Sequence, residues 1–240
     1  MKKMLILGFL LAFLAVLTTC EGKPGLNDGH SDETVGVGKD ISRLLLEAAS
    51  QNRMSRVEEL LEHVEEKDLN RVLADVLEWW HLYRYPHGED FQLVRLLFQR
   101  GADPNAADAD GDPIIFKVRT VEMLKVFGED SRTNFKAKTS YGGTLLLGGI
   151  GKRNEEIVAY LLEKGADPNE PASPRYGEPV PPLHFAIQYD DDLDIVKLLI
   201  NHPKIDLNLK NDQNMTPLEW ARHLGKSETV KLLLEKMKNQ

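Results

Sequence analysis

One cysteine, Cys20, stands among 240 residues. That excludes an internal disulfide framework and a thiolate zinc site. It also leaves no Cys-His pair for nucleophilic catalysis, and the 7 histidines are scattered without a Ser-His-Asp context. No H-E-x-x-H or H-x-x-x-H helix motif occurs. A run long enough to span a membrane is missing too: the apolar stretch 4–17 has 14 residues, against the roughly 20 that a spanning helix needs. Positive charge is in deficit, with 30 Lys+Arg against 38 Asp+Glu. Without Lys2 and Lys3 the balance is 28 basic against 38 acidic residues, a formal charge of −10. Broad electrostatic attachment to nucleic acid or anionic headgroups is thereby excluded, whereas a basic partner is permitted. What is plentiful is apolar side chain, 42% of the chain, enough for a substantial core held by packing alone.

The first 20 residues read as an export signal. Lys2 and Lys3 form a positive n-region, and 4–17 has the length of a signal-peptide core. Leu17-Thr18-Thr19-Cys20 resembles a bacterial lipobox, in which the cysteine becomes the acylated first residue of the mature protein. Thr19 departs from that pattern, where Gly, Ala or Ser is usual. Ordinary cleavage near Cys20, or an uncleaved N-terminal anchor, are the alternatives. The several acyl chains of such a lipoprotein would hold it firmly, at about 0.8 kcal/mol per buried methylene. Glu21 instead of Asp after the cysteine implies, by the same resemblance, the outer membrane of a two-membrane cell. Residues 21–39 carry five glycines, several charges and no apolar periodicity, and read as a flexible tether.

Beyond the tether the chain repeats itself. Gly-Ala-Asp-Pro-Asn occurs at 101–105 and again at 165–169, each time behind an apolar helix-like run. Taking the central leucine of each such run gives Leu60, Leu97, Leu124, Leu161, Leu199 and Leu233, spaced by 37, 27, 37, 38 and 34 residues. Pro182-Leu183-His184-Phe185-Ala186 and Thr216-Pro217-Leu218-Glu219-Trp220-Ala221 precede the last two runs. These residues resemble ankyrin repeats, with a T-P-L-H-x-A first helix, a V-x-L-L-L second helix and a G-A-D-x-N exit at a period of about 33 residues. The resemblance covers about 40–240 and is degenerate in the first and third repeats. It implies an all-α solenoid of six helix-turn-helix repeats joined by turns or β-hairpins, at 40–67, 68–105, 106–134, 135–169, 170–208 and 209–240.

Each repeat has a local logic. Thr216 caps a first helix whose first position, Pro217, has no N–H to satisfy. Leu218, Trp220, Ala221 and Leu224 are expected to face inward, as are Val230, Leu233 and Leu234 of the next helix. Gly101 and Gly165 suit the left-handed residue after a helix end. The short spacing in repeat three predicts a first helix, after Pro113, cut by more than a turn. Insertions are expected at 84–90 and 172–181. One repeat cannot bury its apolar stripe alone, so neighbours must stack.

Function is less legible. The family resemblance implies a non-enzymatic scaffold for protein–protein interaction, without cofactor or catalytic residues, using the concave face of turn tips and first helices plus the two insertions. Trp79, Trp80, Tyr83, Arg84 and Tyr85 form the candidate contact cluster, since Trp, Tyr and Arg dominate interface hot spots. Alternatively, Trp79 or Trp80 fills space beside the truncated helix of repeat three. Adjacent helical residues point about 100° apart, so both are not expected in the core. His81, His87, Glu89 and Asp90 offer a metal-binding or enzymatic alternative, weakened by the missing helix motif. The stretch Gly142-Gly143-Thr144-Leu145-Leu146-Leu147-Gly148-Gly149-Ile150-Gly151-Lys152 mimics a phosphate loop. It fails because Leu146 occupies the required glycine position and Arg153 the Ser/Thr position. His184 is read as a turn brace, as the family motif implies. Asp190-Asp191-Asp192 with Asp194 reads as a solvated turn capping a helix. The expected product is a monomeric, lipid-anchored envelope protein on the periplasmic side with a protein partner. A lipoprotein that inhibits an envelope-acting enzyme, as an immunity protein does, is the more pointed alternative, and a purely structural envelope spacer is another.

Overall fold

The computed structural model describes residues 37–79, 91–175, 177–189 and 193–239. The signal-like segment with Cys20, nearly all of the tether, the insertion at 84–90 and the acidic turn 190–192 lie outside the described residues.

Apolar residues at helical spacing build eleven α-helices among the described residues: α1 Val37–Ser50, α2 Met54–Glu62, α3 Leu69–Trp79, α4 Gln92–Gln99, α5 Val121–Glu129, α6 Leu145–Gly151, α7 Glu155–Glu163, α8 Pro182–Tyr189, α9 Asp194–Asn201, α10 Pro217–His223 and α11 Ser227–Lys238. They run in helix pairs, α1/α2, α3/α4, α6/α7, α8/α9 and α10/α11. The third pair is incomplete: its first member is a 3-10 turn, Ile114–Lys117, packed with α3, and its second is α5. The truncation expected from the short spacing is there. Ile114 and Ile115 are nonetheless buried, so the shortened element keeps its core function while losing helix length.

Capping residues fix where the helices start. Thr216 accepts the amide of Glu219, and the Glu219 carboxylate accepts the Thr216 amide, completing a reciprocal capping box with Pro217 at the first position. Thr144 caps α6 through the Leu147 amide, Asn154 caps α7 through that of Ile157, and Thr120 caps α5 through that of Met123. Gly101 and Gly165 adopt φ of 105° and 87°, the left-handed conformation that ends a helix without a Cβ penalty.

Stacking makes one continuous apolar cluster from Ile41 to Leu233. Leu45, Leu97, Leu161, Ile187 and Leu199 lie fully inside it. In the last helix the inner stripe differs from the expectation. Leu232 packs against the core beside Val230 and Leu233, with Thr229 buried, whereas Leu234 is not among the core-packed residues. Residues 229, 232 and 233 share one helical arc, and α11 packs against both α9 and α10.

The connections are hairpin-like. Isolated antiparallel bridges join Ala107 to Pro113, Lys138 to Thr144 and Ala172 to Val180, and no strand forms among the described residues. The insertion at 172–181 extends the third of these hairpins. Side-chain amides tie one repeat to the next. Asn105 donates Nδ2–H to the Arg132 carbonyl (2.8 Å) and accepts the Asn134 amide (2.7 Å). Asn169 repeats the pattern with the Lys204 carbonyl (2.6 Å) and the Asp206 amide (2.8 Å). The exit pentapeptide thus recurs because its last residue is a bifunctional clasp. Its aspartate has a local job: Asp103 and Asp167 each accept the amide two residues on, shaping the turn that presents the clasp.

Candidate partner-binding surface

Trp79 closes α3, half-buried and packed against the apolar cluster. Trp80, Tyr83, Arg84 and Tyr85, with His81 and His87, lie outside the described residues. Among the described residues no cluster of three His, Cys, Asp or Glu side chains could hold a metal, and no helix is long and apolar enough to cross a membrane.

A second set of aromatic residues gathers on the face made by hairpin tips and first helices. One helical turn into each first element stands a residue that is half-buried in the stack. Four residues after Thr144 and Thr216 come Gly148 and Trp220, and four after Pro181 comes Phe185. In repeat three the 3-10 turn needs only three residues per turn, so Phe116, three after Pro113, falls where a fourth residue otherwise would. Phe116 and Phe185 line the same cavity of about 190 Å³, with Gly148 between them in chain order. A Cβ built on Gly148 meets no heavy atom within 4 Å. Its neighbour Gly149 is the opposite: a Cβ there sits 3.0 Å from Ile157 and 3.2 Å from Val158, so glycine is what lets α6 approach α7. The Gly-Gly pair therefore serves two purposes, close packing behind and an open notch in front.

Hairpin tips form the outer rim. Tyr141, 40% exposed, and Pro174 line the cavity from two consecutive tips. Phe185 also tilts against Tyr189, with ring centroids 4.7 Å apart, and Tyr189 is 44% exposed. Tip geometry is set by short polar bonds. Thr139 Oγ1 accepts the Gly143 amide (2.8 Å), the Ser140 amide reaches Asp112 on the preceding tip (2.6 Å), and the Ser173 amide reaches the Gly142 carbonyl (3.3 Å). Asp108 accepts the amides of Asp110 and Asp112 and pairs with Lys117 at 3.1 Å. Burial raises its pKa, but Lys117 and the two amides outweigh that and hold the carboxyl below the usual aspartate range.

The cavity lining differs from the acidic tips around it. No carboxylate lines the cavity, and its one charged lining residue is Arg175. Beside the lining residue Gly151 stands Lys152, whose Nζ donates to the Val118 carbonyl at 3.4 Å. Withdrawal of its ammonium from water, and then the nearby Arg119 charge, push the Lys152 pKa below the usual lysine value.

At the far end His184 is fully buried. Its Nε2 pairs with the Met215 carbonyl at 2.9 Å, and its own carbonyl accepts the Trp220 indole N–H at 3.2 Å. It joins repeats five and six as a brace. Between α4 and α5 lies an Arg95–Glu129 fork, with bonds of 2.7 and 2.8 Å, beside a cavity of about 330 Å³.

Of the contact cluster expected at 79–85 only Trp79 is among the described residues, and Phe116 and Phe185 stand apart from that cluster in sequence. The signal for the Phe116–Phe185 notch was present in the register of the first helices. Reading it required knowing that repeat three is 3-10 rather than α.

Residues 174–240 match the family model described as ankyrin repeats in three copies. The chain is 32% identical over 114 residues to the human transient receptor potential cation channel subfamily A member 1, an alignment covering 48% of this chain and 10% of that protein. It is 32% identical over 125 residues to the ANK repeat-containing protein nipk-1 of Caenorhabditis elegans, covering 48% and 20%. The aligned part thus spans a fifth or less of these relatives. Among solved structures, the ankyrin repeat domain of Bcl-3, described as a unique member of the IkappaB protein family, superposes with a TM-score of 0.63 at 21% identity, covering 88% of this chain and 87% of that one. The fold is an ankyrin repeat solenoid, an architecture that in general mediates protein–protein interaction and is typically a non-enzymatic scaffold.

Proposed function

We propose that this ankyrin solenoid is a non-enzymatic, monomeric scaffold that binds a protein through the face of hairpin tips and first helices, held at a bacterial envelope by lipid on Cys20. The observation that carries the binding surface is the notch between Phe116 and Phe185, rimmed by Tyr141 and backed by the open side of Gly148. Its lining of aromatic rings, small residues and one guanidinium is the chemistry of a contact surface, where rigid rings supply area at small entropic cost. The envelope assignment rests on the sequence of 1–20, with its basic start, its 14-residue apolar core and its sole cysteine at the lipobox position.

Two measurements test the reading. Covalent capture from the cells that express the protein should retain a protein partner on the full chain and lose it on Phe116→Ala/Phe185→Ala, with both baits equally helical by circular dichroism. A partner retained equally by the double variant would move the surface elsewhere, with the 79–85 cluster first to be tried. In a host with lipoprotein processing, the wild type should take up labelled palmitate and sediment with membranes. Tight membrane association of Cys20→Ala would sink the lipid anchor.

A further inference from the structure

Resting on the scaffold reading, we propose that the site accepts an acidic polypeptide segment, which inserts one large apolar side chain into the Phe116–Gly148–Phe185 notch and sets a carboxylate against Lys152 and Arg119. Three observations converge. The notch is open where a side chain would otherwise stand, since Gly148 meets nothing within 4 Å in front while Gly149 and Leu147 are buried behind it. Rings line it from three repeats, Phe116 on the third, Tyr141 on the fourth and Phe185 on the fifth, so an inserted side chain meets aromatic carbon on either side of Gly148. The local charge is inverted. In a chain with 38 acidic residues, no carboxylate lines the cavity.

Lys152 and Arg119 supply the electrostatic half. Lys152 makes its hydrogen bond to a neutral carbonyl, and no carboxylate pairs with it or with Arg119 among the described residues. Lys117, close by in sequence, is different: Asp108 and Glu78 already pair with it. Two like charges side by side without a counter-charge disfavour each other, and an incoming carboxylate relieves both. Lys152, the C-cap of α6, follows Gly148 by four residues and donates its amide to the Gly148 carbonyl, one helical turn further along. A segment with its apolar anchor in the notch therefore carries its acid about one helical turn away along α6. A basic segment meets repulsion at this point, although the net charge of the whole chain would attract one. Local charge, at distances below the roughly 8 Å screening length, governs the docked state.

The test uses the full chain and a displayed library of random linear peptides as the probe. Selection should enrich sequences that pair Asp or Glu with a nearby Trp, Phe or Leu. A synthetic peptide of the enriched sequence, labelled for fluorescence anisotropy, should lose at least about tenfold in affinity against Gly148→Leu, which fills the notch, and against Lys152→Glu, which reverses the charge. Both variants should keep the wild-type thermal midpoint within a few degrees, so loss of binding reports the site and not the fold. Gly148→Ala, which fills less, should fall between. Enrichment of basic peptides, or binding unchanged by Gly148→Leu, overturns the proposal while leaving a scaffold that binds elsewhere. If no peptide is enriched, the proposal falls as well, and capture on the Phe116→Ala/Phe185→Ala pair decides the scaffold reading separately.

Discussion

Asn169 uses one side-chain amide for two bonds across a repeat boundary. Asn169→Ala leaves the Asp206 amide and the Lys204 carbonyl to water, at a cost of about 1–2 kcal/mol. Urea unfolding should show a lower midpoint with an unchanged slope. A wild-type midpoint would mean that the clasp is ornamental. His184 makes a second prediction at the same scale. Burial depresses its pKa from the ordinary 6.5, partly opposed by the Met215 carbonyl and Asp212. The unfolded chain then binds more protons than the folded one just below pH 6.5, so stability rises with pH there. The histidine's contribution is complete above about pH 6.5 and is lost as pH falls toward the depressed folded value. Thermal midpoints of the wild type should drop across that window more steeply than those of His184→Asn. Parallel curves would place the acid sensitivity on other groups.

At the scale of elements, the two adjacent glycines of α6 should respond to one substitution in opposite directions. Gly148→Leu adds a side chain into open space and removes a helix-destabilising glycine, worth about 0.5–1 kcal/mol of stabilisation. Gly149→Leu drives a side chain into Ile157 and Val158 and should destabilise by about 1–3 kcal/mol. Two variants unfolding at the same temperature would refute the division of labour. Helix starts were legible in the sequence because Thr144 and Thr216 are strong caps and Pro217 cannot sit in a helix interior. The truncated third repeat was legible as a spacing defect, with Leu124 only 27 residues after Leu97. Its conversion to a 3-10 turn was not, since nothing local in Pro113-Ile114-Ile115-Phe116 distinguishes three from 3.6 residues per turn. The notch stayed hidden for that reason: Phe116 reaches the face only through the tighter turn. Leu232 replacing Leu234 has a similar origin, because contact with α9 and α10, which the sequence does not spell out, decides which leucine packs inward. The clasps were written in plain view as a repeated pentapeptide, yet their partners, the carbonyls and amides at 132, 134, 204 and 206, carry no side-chain signature.

For the molecule as a whole, stability in a stacked array is a sum of repeat and interface contributions, so the weakest interface decides where cooperativity breaks. Repeat three brings four 3-10 residues where its neighbours, repeats two and four, bring eleven and seven helical ones. Hydrogen exchange should therefore find the amides of 114–118 opening more readily than those of α6 and α7, with repeats four to six the longest protected block. Uniform protection through 114–118 would show that buried Ile114 and Ile115 compensate fully for the missing turn. The Arg132 side chain, which reaches back to the Ala102 carbonyl at 3.0 Å while pairing with Asp130, is the tie that spans this joint on the other side.

The short third element has one more consequence, for how binding is felt. Phe116 stands on the shortened 3-10 element and Phe185 on a full helix, so a ligand touching both rings would act as a splint across repeat four. Part of its affinity would be spent on fastening the joint and would return as a sharper, later melting of the bound array. Occupancy of the notch would then register as rigidity carried from repeat five back to repeat three, with no new conformation required.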